Sequence, residues 1–189
     1  MNRFSFLYLG TSALLSGCSS ISVSRDYDVA FDFSRLKTFA WQHAKQPETG
    51  VTRVDNDLND RRIRAAINAE LKAKGFSLVE NREDASFLVA YYIDFQQRIE
   101  GRGTFSIGLG RSASARGGAV GWSSGTNISD YEEAHLTIDF IDPETGLTVW
   151  RGWGRRRASN SGDPDKITKK NSDTVGRILK RFPPKQKER

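Results

Sequence analysis

Cysteine is nearly absent from this chain: of 189 residues only one is Cys, at position 18. An internal disulfide is therefore excluded. Two histidines beside that single Cys exclude a Cys/His zinc site, which needs four converging ligands. No metal or other cofactor is expected. Long apolar runs are missing too. The most apolar stretch, residues 4–15, is only 12 positions long and is broken by Ser5, Gly10, Thr11 and Ser12. A membrane-spanning helix needs about 20 apolar residues. What the chain does contain, 37% hydrophobic and 11% aromatic residues, is enough to bury a core in one domain of ordinary size. Its net charge of +6 is unevenly placed: residues 151–189 carry 13 basic and 4 acidic side chains, more than the whole excess. Such asymmetry points to an anionic partner or a solvated tail.

Residues 1–17 read as an address. Arg3 supplies a positive start, the 12-residue apolar stretch follows, and the segment closes on Leu15-Ser16-Gly17-Cys18. This ending resembles the bacterial lipobox, in which two small residues precede a Cys that is acylated after cleavage. The resemblance makes 1–17 a lipoprotein signal peptide and Cys18 the lipidation site, carrying palmitate-type acyl chains. Ser19, where Asp would resemble an inner-membrane retention signal, implies the outer membrane of a Gram-negative bacterium, with the protein facing the periplasm. Residues 18–26, small and polar, read as the lipidated Cys and its tether.

Residues 27–184 read as a single α+β domain. Segment 27–33 suits a short strand, and 36–41 alternates as a strand does. Ile63, Ile67 and Leu71 recur at helical spacing over 57–74, with Asp57 or Asn59 as cap and Gly75 as the residue past the end. Phe76 opens another short strand. Residues 86–95 are apolar on both faces, which predicts a central strand. Residues 135–141 alternate, 142–146 (DPETG) is a turn, and 147–153 returns as the second arm of a hairpin. Asp163-Pro164 predicts a capped helix, with Ile167, Val175, Ile178 and Leu179 as its apolar stripe. Pro183-Pro184 stop it, and 185–189 form a basic tail. The resulting fold is two layers: a mainly antiparallel sheet with two helices packed on one face. Residues 101–125 hold eight Gly and five Ser. Two glycine-rich strands are possible there, but a long, partly ordered excursion over 101–130 is the favoured reading.

Catalytic patterns are weak. Gly121-Trp122-Ser123-Ser124-Gly125 matches the nucleophile elbow of serine hydrolases, but that motif needs a strand-to-helix turn, and no helix follows here. The carboxylates Asp139 and Asp142, or Glu132 and Glu133, suit solvated edges better than acid–base catalysis. Non-catalytic candidates stand out more. Arg151, Arg155, Arg156 and Arg157 form a basic group suited to an anionic lipid or an acidic envelope protein. Nucleic acid is not expected as a partner of an exported chain. Trp122, with few core neighbours in sequence, is a candidate interface anchor.

Further residues carry a family resemblance. They are Tyr27-Asp28, Phe33, the run Leu36-Lys37-Thr38-Phe39-Ala40-Trp41 and the helix from Ile63 to Gly75. Ala85-Ser86-Phe87-Leu88-Val89-Ala90-Tyr91, the hairpin strands and Ile178-Leu179 with Phe182-Pro183-Pro184 complete the set. Together with the lipobox, they resemble bacterial lipoproteins of the domain-of-unknown-function family 4136. The resemblance covers residues 20–184 and implies no catalytic residues. The expected role is a non-enzymatic binding or assembly module of the cell envelope, held to the membrane through its lipid. The alternatives are an accessory subunit of an envelope lipid-transport machine, binding anionic lipid through its basic C-terminal face, and, remotely, a serine hydrolase at Ser123.

Overall fold

A computed structural model of the chain describes residues 21–50, 52, 55–109, 120–158 and 162–184; over 99–109 and 120–130 it describes the backbone alone. One six-stranded sheet carries two helices. The elements run β1 (Ser22–Tyr27), β2 (Thr38–Trp41), α1 (Asp57–Ala73), β3 (Ser77–Leu78), β4 (Phe87–Leu109), β5 (Val120–Ile141), β6 (Thr148–Arg157) and α2 (Pro164–Leu179). The strand order is β1-β6-β5-β4-β2-β3. The pairs β1/β6, β6/β5 and β5/β4 are antiparallel, while β2 runs parallel to both β3 and β4. The expected two-layer α+β architecture is the one observed.

Both helices form where their caps and stripes predict. Asn56, one residue before the expected cap, ends its extended backbone at α1 and accepts hydrogen bonds from the Leu58 and Asn59 amides. At the other end Gly75 takes φ +91°, and the Phe76 amide donates back to the Leu71 carbonyl at 3.0 Å. That geometry drops Phe76 into the core. Asp163 caps α2 with Pro164 behind it. Ile63, Ile67 and Leu71 of α1 and Val175, Ile178 and Leu179 of α2 pack on Phe87, Val89, Ile138, Phe140 and Trp150 of the sheet. Phe182 sits at the centre, its ring against Phe33, Phe76, Phe87, Phe140 and Trp150 at centroid distances of 4.4–6.1 Å. Trp153, by contrast, lies on the opposite face and is partly exposed.

Two expectations about the sheet need correction. The first strand is Ser22–Tyr27, all but its last residue in the 18–26 segment read as tether, whereas the 27–33 segment read as a strand runs into a 3-10 turn at 33–35. An edge strand needs only one core-facing side and backbone pairing; Val23 and Tyr27 pack on the core from that side, opposite Gly154 and Trp150, and Arg25 between them lies over the Tyr27 ring. The glycine-rich excursion is likewise built from strand: β4 and β5 stay in register from Leu88/Ile141 out to Leu109/Val120. Beyond Glu133, the last β5 partner of β6, they continue as a two-stranded ribbon. Its turn lies outside the described residues.

Candidate functional site

A cavity of about 320 Å³ opens at one end of the core, between the first halves of α1 and α2 and the stretch of sheet from which the ribbon departs. Its floor is apolar: Ile63, Ile93, Phe95, Leu136 and Ile167. Its rim is polar and cationic: Asn56, Asn59, Arg62, Arg156, Lys170 and Asn171. No Asp or Glu lines it.

The cavity arises from a change of residue type along each helical stripe. In α1 the inward face reads Asn59, half-buried, then Ile63, Ile67 and Leu71; in α2 it reads Ile167, half-buried, then Asn171, Thr174, Val175 and Ile178. Toward the C-termini these positions fill with branched apolar side chains. Nearer the N-termini Asn59, Asn171 and Thr174 interrupt them, and there the helices meet through hydrogen bonds instead of interdigitating. Asn171, only 6% exposed, donates to Asn59 Oδ1 at 2.8 Å and accepts from Arg156 Nη2 at 3.3 Å. Thr174, 3% exposed, donates to the Lys170 carbonyl at 2.8 Å. A buried amide engaged on both of its atoms holds the gap open at fixed width. The positive ends of both helix dipoles lie at this end of the core. Arg62 and Lys170 have no ion-pair partner among the described residues, whereas carboxylates of the same helix ends are engaged. Asp57 pairs with Lys45 at 3.2 Å, Asp60 with Arg64 at 2.8 Å, and Asp163 with Lys166 at 3.3 Å. Asp165 is exposed on the first turn of α2.

The four arginines singled out in sequence do not form one group. Strand alternation sends Arg151, Arg155 and Arg157 to the face away from the helices and Arg156 to the cavity. Arg151 grips Asp139 through two hydrogen bonds of 2.7 and 2.5 Å, which raise its already high pKa further. Arg157 stacks on Tyr131, its Cζ 4.1 Å from the ring centroid. Trp122 lies in β5 opposite Ile107, in the stretch where only the backbone is described. Cys18 and the basic tail lie outside the described residues. Sequence reading missed Asn59, Arg62, Lys170 and Asn171. The signal was present, as polar residues at core-facing positions of two otherwise apolar stripes.

The weighed catalytic groups are held in structural roles. Ser123 is the fourth residue of β5, opposite Ser106, with strand on both sides of it and no strand-to-helix turn. Asp142 accepts from the Glu144 amide and the Thr145 hydroxyl within its turn. Burial pushes the Glu133 carboxyl up, but hydrogen bonds from His135 and Arg98 outweigh it and hold the group below its ordinary pKa. Burial and a 2.5 Å hydrogen bond to Asp60 push the Tyr91 hydroxyl far above its ordinary value. Among the described residues, no group of three or more His, Cys, Asp or Glu could hold a metal ion. No helix among them is long and apolar enough to cross a membrane.

Fold and cavity together define a two-layer α+β domain with a polar-rimmed pocket at the open end of its core. Residues 23–184 match the family model described as "Domain of unknown function (DUF4136)", and the chain belongs to that family. Among solved structures, a PDZ domain protein from Parabacteroides distasonis is similar at 16% identity and TM-score 0.51. The match covers 89% of this chain and 36% of that one, so the chain spans about a third of that protein's length. A DUF4136 family protein from Bacteroides thetaiotaomicron matches at 16% identity and TM-score 0.49, over 86% of this chain and 96% of that one. A PelC dodecamer from Paraburkholderia phytofirmans matches at 15% identity and TM-score 0.46, over 85% and 95% of the two chains. At such identities the likeness is one of fold alone. No curated protein matches the chain.

Proposed function

We propose that this protein is a lipid-anchored, periplasm-facing lipoprotein of the outer membrane, acting as a non-enzymatic binding module of the cell envelope through the cavity between its helices and sheet. The observation that carries the binding role is the cavity itself. It has an apolar floor, two cations without ion-pair partners among the described residues, and no lining carboxylate. The lipobox ending at Cys18 carries the anchor. The non-enzymatic reading is supported by the position of Ser123 within strand β5 and by the engagement of Asp139, Asp142 and Glu133 in structural contacts. A role as accessory subunit in envelope lipid transport draws on the same cavity, because Arg156 is the one of the four arginines that reaches it.

The test is metabolic labelling with radioactive palmitate followed by membrane fractionation and native mass spectrometry of the extracted protein. Wild type is expected to carry label and fractionate with the outer membrane, and Cys18→Ala to lose both. A retained small molecule is expected in the native spectrum. A soluble, unlabelled mature wild-type protein that retains nothing overturns the reading.

A further inference from the structure

We infer that the cavity holds an amphiphilic anion, a carboxylate or phosphate monoester head on an unbranched alkyl body, with the head at Arg62 and Lys170 and the body over Ile63, Ile93 and Leu136. This inference rests on the binding-module reading and names the ligand class of that site. Size comes first. The roughly 320 Å³ available lies at the small end of the range for small-molecule pockets. At about 30 Å³ per water-sized group it takes roughly ten such groups. That suits a medium alkyl chain or the end of a longer one, and is too small for a folded peptide segment.

Polarity comes second. Ile63 is almost fully buried, Leu136 is 7% exposed, and Ile93 packs against the core. Water against this floor makes few hydrogen bonds, so an alkyl chain gains by displacing it. The floor supplies no fan of donors such as a sugar would need. Charge comes third. Arg62 and Lys170 flank the rim, Arg156 is steadied there by Asn171, and no lining carboxylate offsets them. A neutral ligand leaves Arg62 and Lys170 without a counter-charge, and a cationic one is repelled. A guanidinium and an ammonium together match one carboxylate or phosphate head.

The fourth argument is placement. Ser22, the first residue of β1, pairs with Arg155, the neighbour of the cavity residue Arg156. The chain therefore leaves the sheet toward Cys18 at the cavity's own end. Three residues lie between Cys18 and Ser22, so four residue steps give a reach of at most about 14 Å. An acylated Cys18 would hold the pocket next to lipid headgroups, where amphiphilic anions are concentrated. The same chemistry has two sources, a free alkyl anion or a lipid still in the bilayer, and the experiment separates them.

Full-length protein in nanodiscs of zwitterionic lipid is irradiated with a diazirine-bearing decanoate, and the labelled peptides are mapped by mass spectrometry. Label is expected on peptides containing Ile63, Ile93 or Ile167. Decanoate and decyl phosphate should compete it away; decanol and inorganic phosphate should not. Arg62→Gln with Lys170→Gln should lower labelling about tenfold or more at an unchanged melting temperature. Ile93→Trp, which fills the cavity, should abolish labelling while the far-ultraviolet spectrum is retained. A parallel arm places a photoreactive phosphatidic acid, itself a phosphate monoester, in the nanodisc. Label from that lipid but not from decanoate keeps the class and fixes the bilayer as source. Equal competition by decanol, labelling indifferent to the double variant, or label spread outside the cavity overturns the inference. If a native ligand of another class remains bound and palmitate is present on Cys18, the inference falls and the binding module stands. If neither ligand nor acyl chain is found, the module reading falls with it.

Discussion

Asp139 is 2% exposed, and the half-exposed Arg151, one strand away, holds it by two hydrogen bonds. Removing the guanidinium leaves a carboxylate buried without its charge partner. Arg151→Met should therefore lower unfolding free energy by about 1–3 kcal/mol, read by chemical denaturation. Asp139→Asn in the same background should recover part of the loss, because a neutral amide is cheaper to bury. If Arg151→Met leaves stability unchanged, Arg151 returns to the pool of partner-binding cations. Gly152 teaches a steric lesson at the next position. A Cβ there would collide with the Trp150 ring and come within 2.7 Å of Ile178 Cγ2. The strand stays glycine so that Trp150 can lie flat on Phe140, their rings stacked at 4.8 Å. Gly152→Ala should destabilise by about 1–3 kcal/mol through overpacking, seen as a lower melting temperature. An unchanged melting temperature would mean that Trp150 has room to move aside.

Among the elements, those whose signal is local were readable in the sequence. The α2 helix is an example: Asp163 caps it through the Asp165 and Lys166 amides, and Pro164 stands at its first turn. Asp163→Ala should reduce stability by about 1 kcal/mol in denaturant titrations, and Asp163→Ser should restore most of it. No loss on Asp163→Ala would place α2's start under the control of packing rather than capping. The hairpin turn at 142–146 was equally plain, since Gly146 adopts φ +70° and Asp142 caps the bend. β1 was not readable, because Ser22, Ser24 and Asp26 mark it polar and its pairing partner lies more than 120 residues away. The ribbon of β4 and β5 was misjudged for a related reason. Glycine and serine argue against strand by propensity, yet backbone pairing continued from an apolar stretch carries the strands outward. The basic cluster failed on geometry. Consecutive arginines on a strand face opposite ways, so Arg155, Arg156 and Arg157 could never form a single patch. The cavity residues carry a weaker signal. Asn59, Asn171 and Thr174 share a face with the apolar stripes, but a polar residue at helical spacing reads equally well as solvated surface.

At the scale of the whole molecule, the strand correction shortens the proposed tether. With β1 beginning at Ser22, the segment between Cys18 and the folded domain spans at most about 14 Å when extended, where a tether reaching to residue 26 would allow about twice that. A short leash fixes orientation as well as distance. It leaves from the sheet edge beside Arg155, so under the proposed anchoring at Cys18 the cavity end of the domain, with both helix N-termini and the Arg62–Lys170 rim, would be the end held toward the bilayer. The local supply of membrane-borne ligand then depends on the leash in a way that binding of a free ligand does not. Inserting 20 Gly/Ser residues between Ser20 and Ile21 lets the domain wander; a flexible segment of about 24 residues has a root-mean-square span of roughly 27 Å. Folding should be untouched, with the melting temperature and the labelling by free diazirine decanoate equal to wild type. Labelling by the photoreactive lipid in the nanodisc should fall several-fold. Equal lipid labelling in both proteins would mean that the leash does not set the cavity's approach to the membrane, and that ligand reaches it through solution.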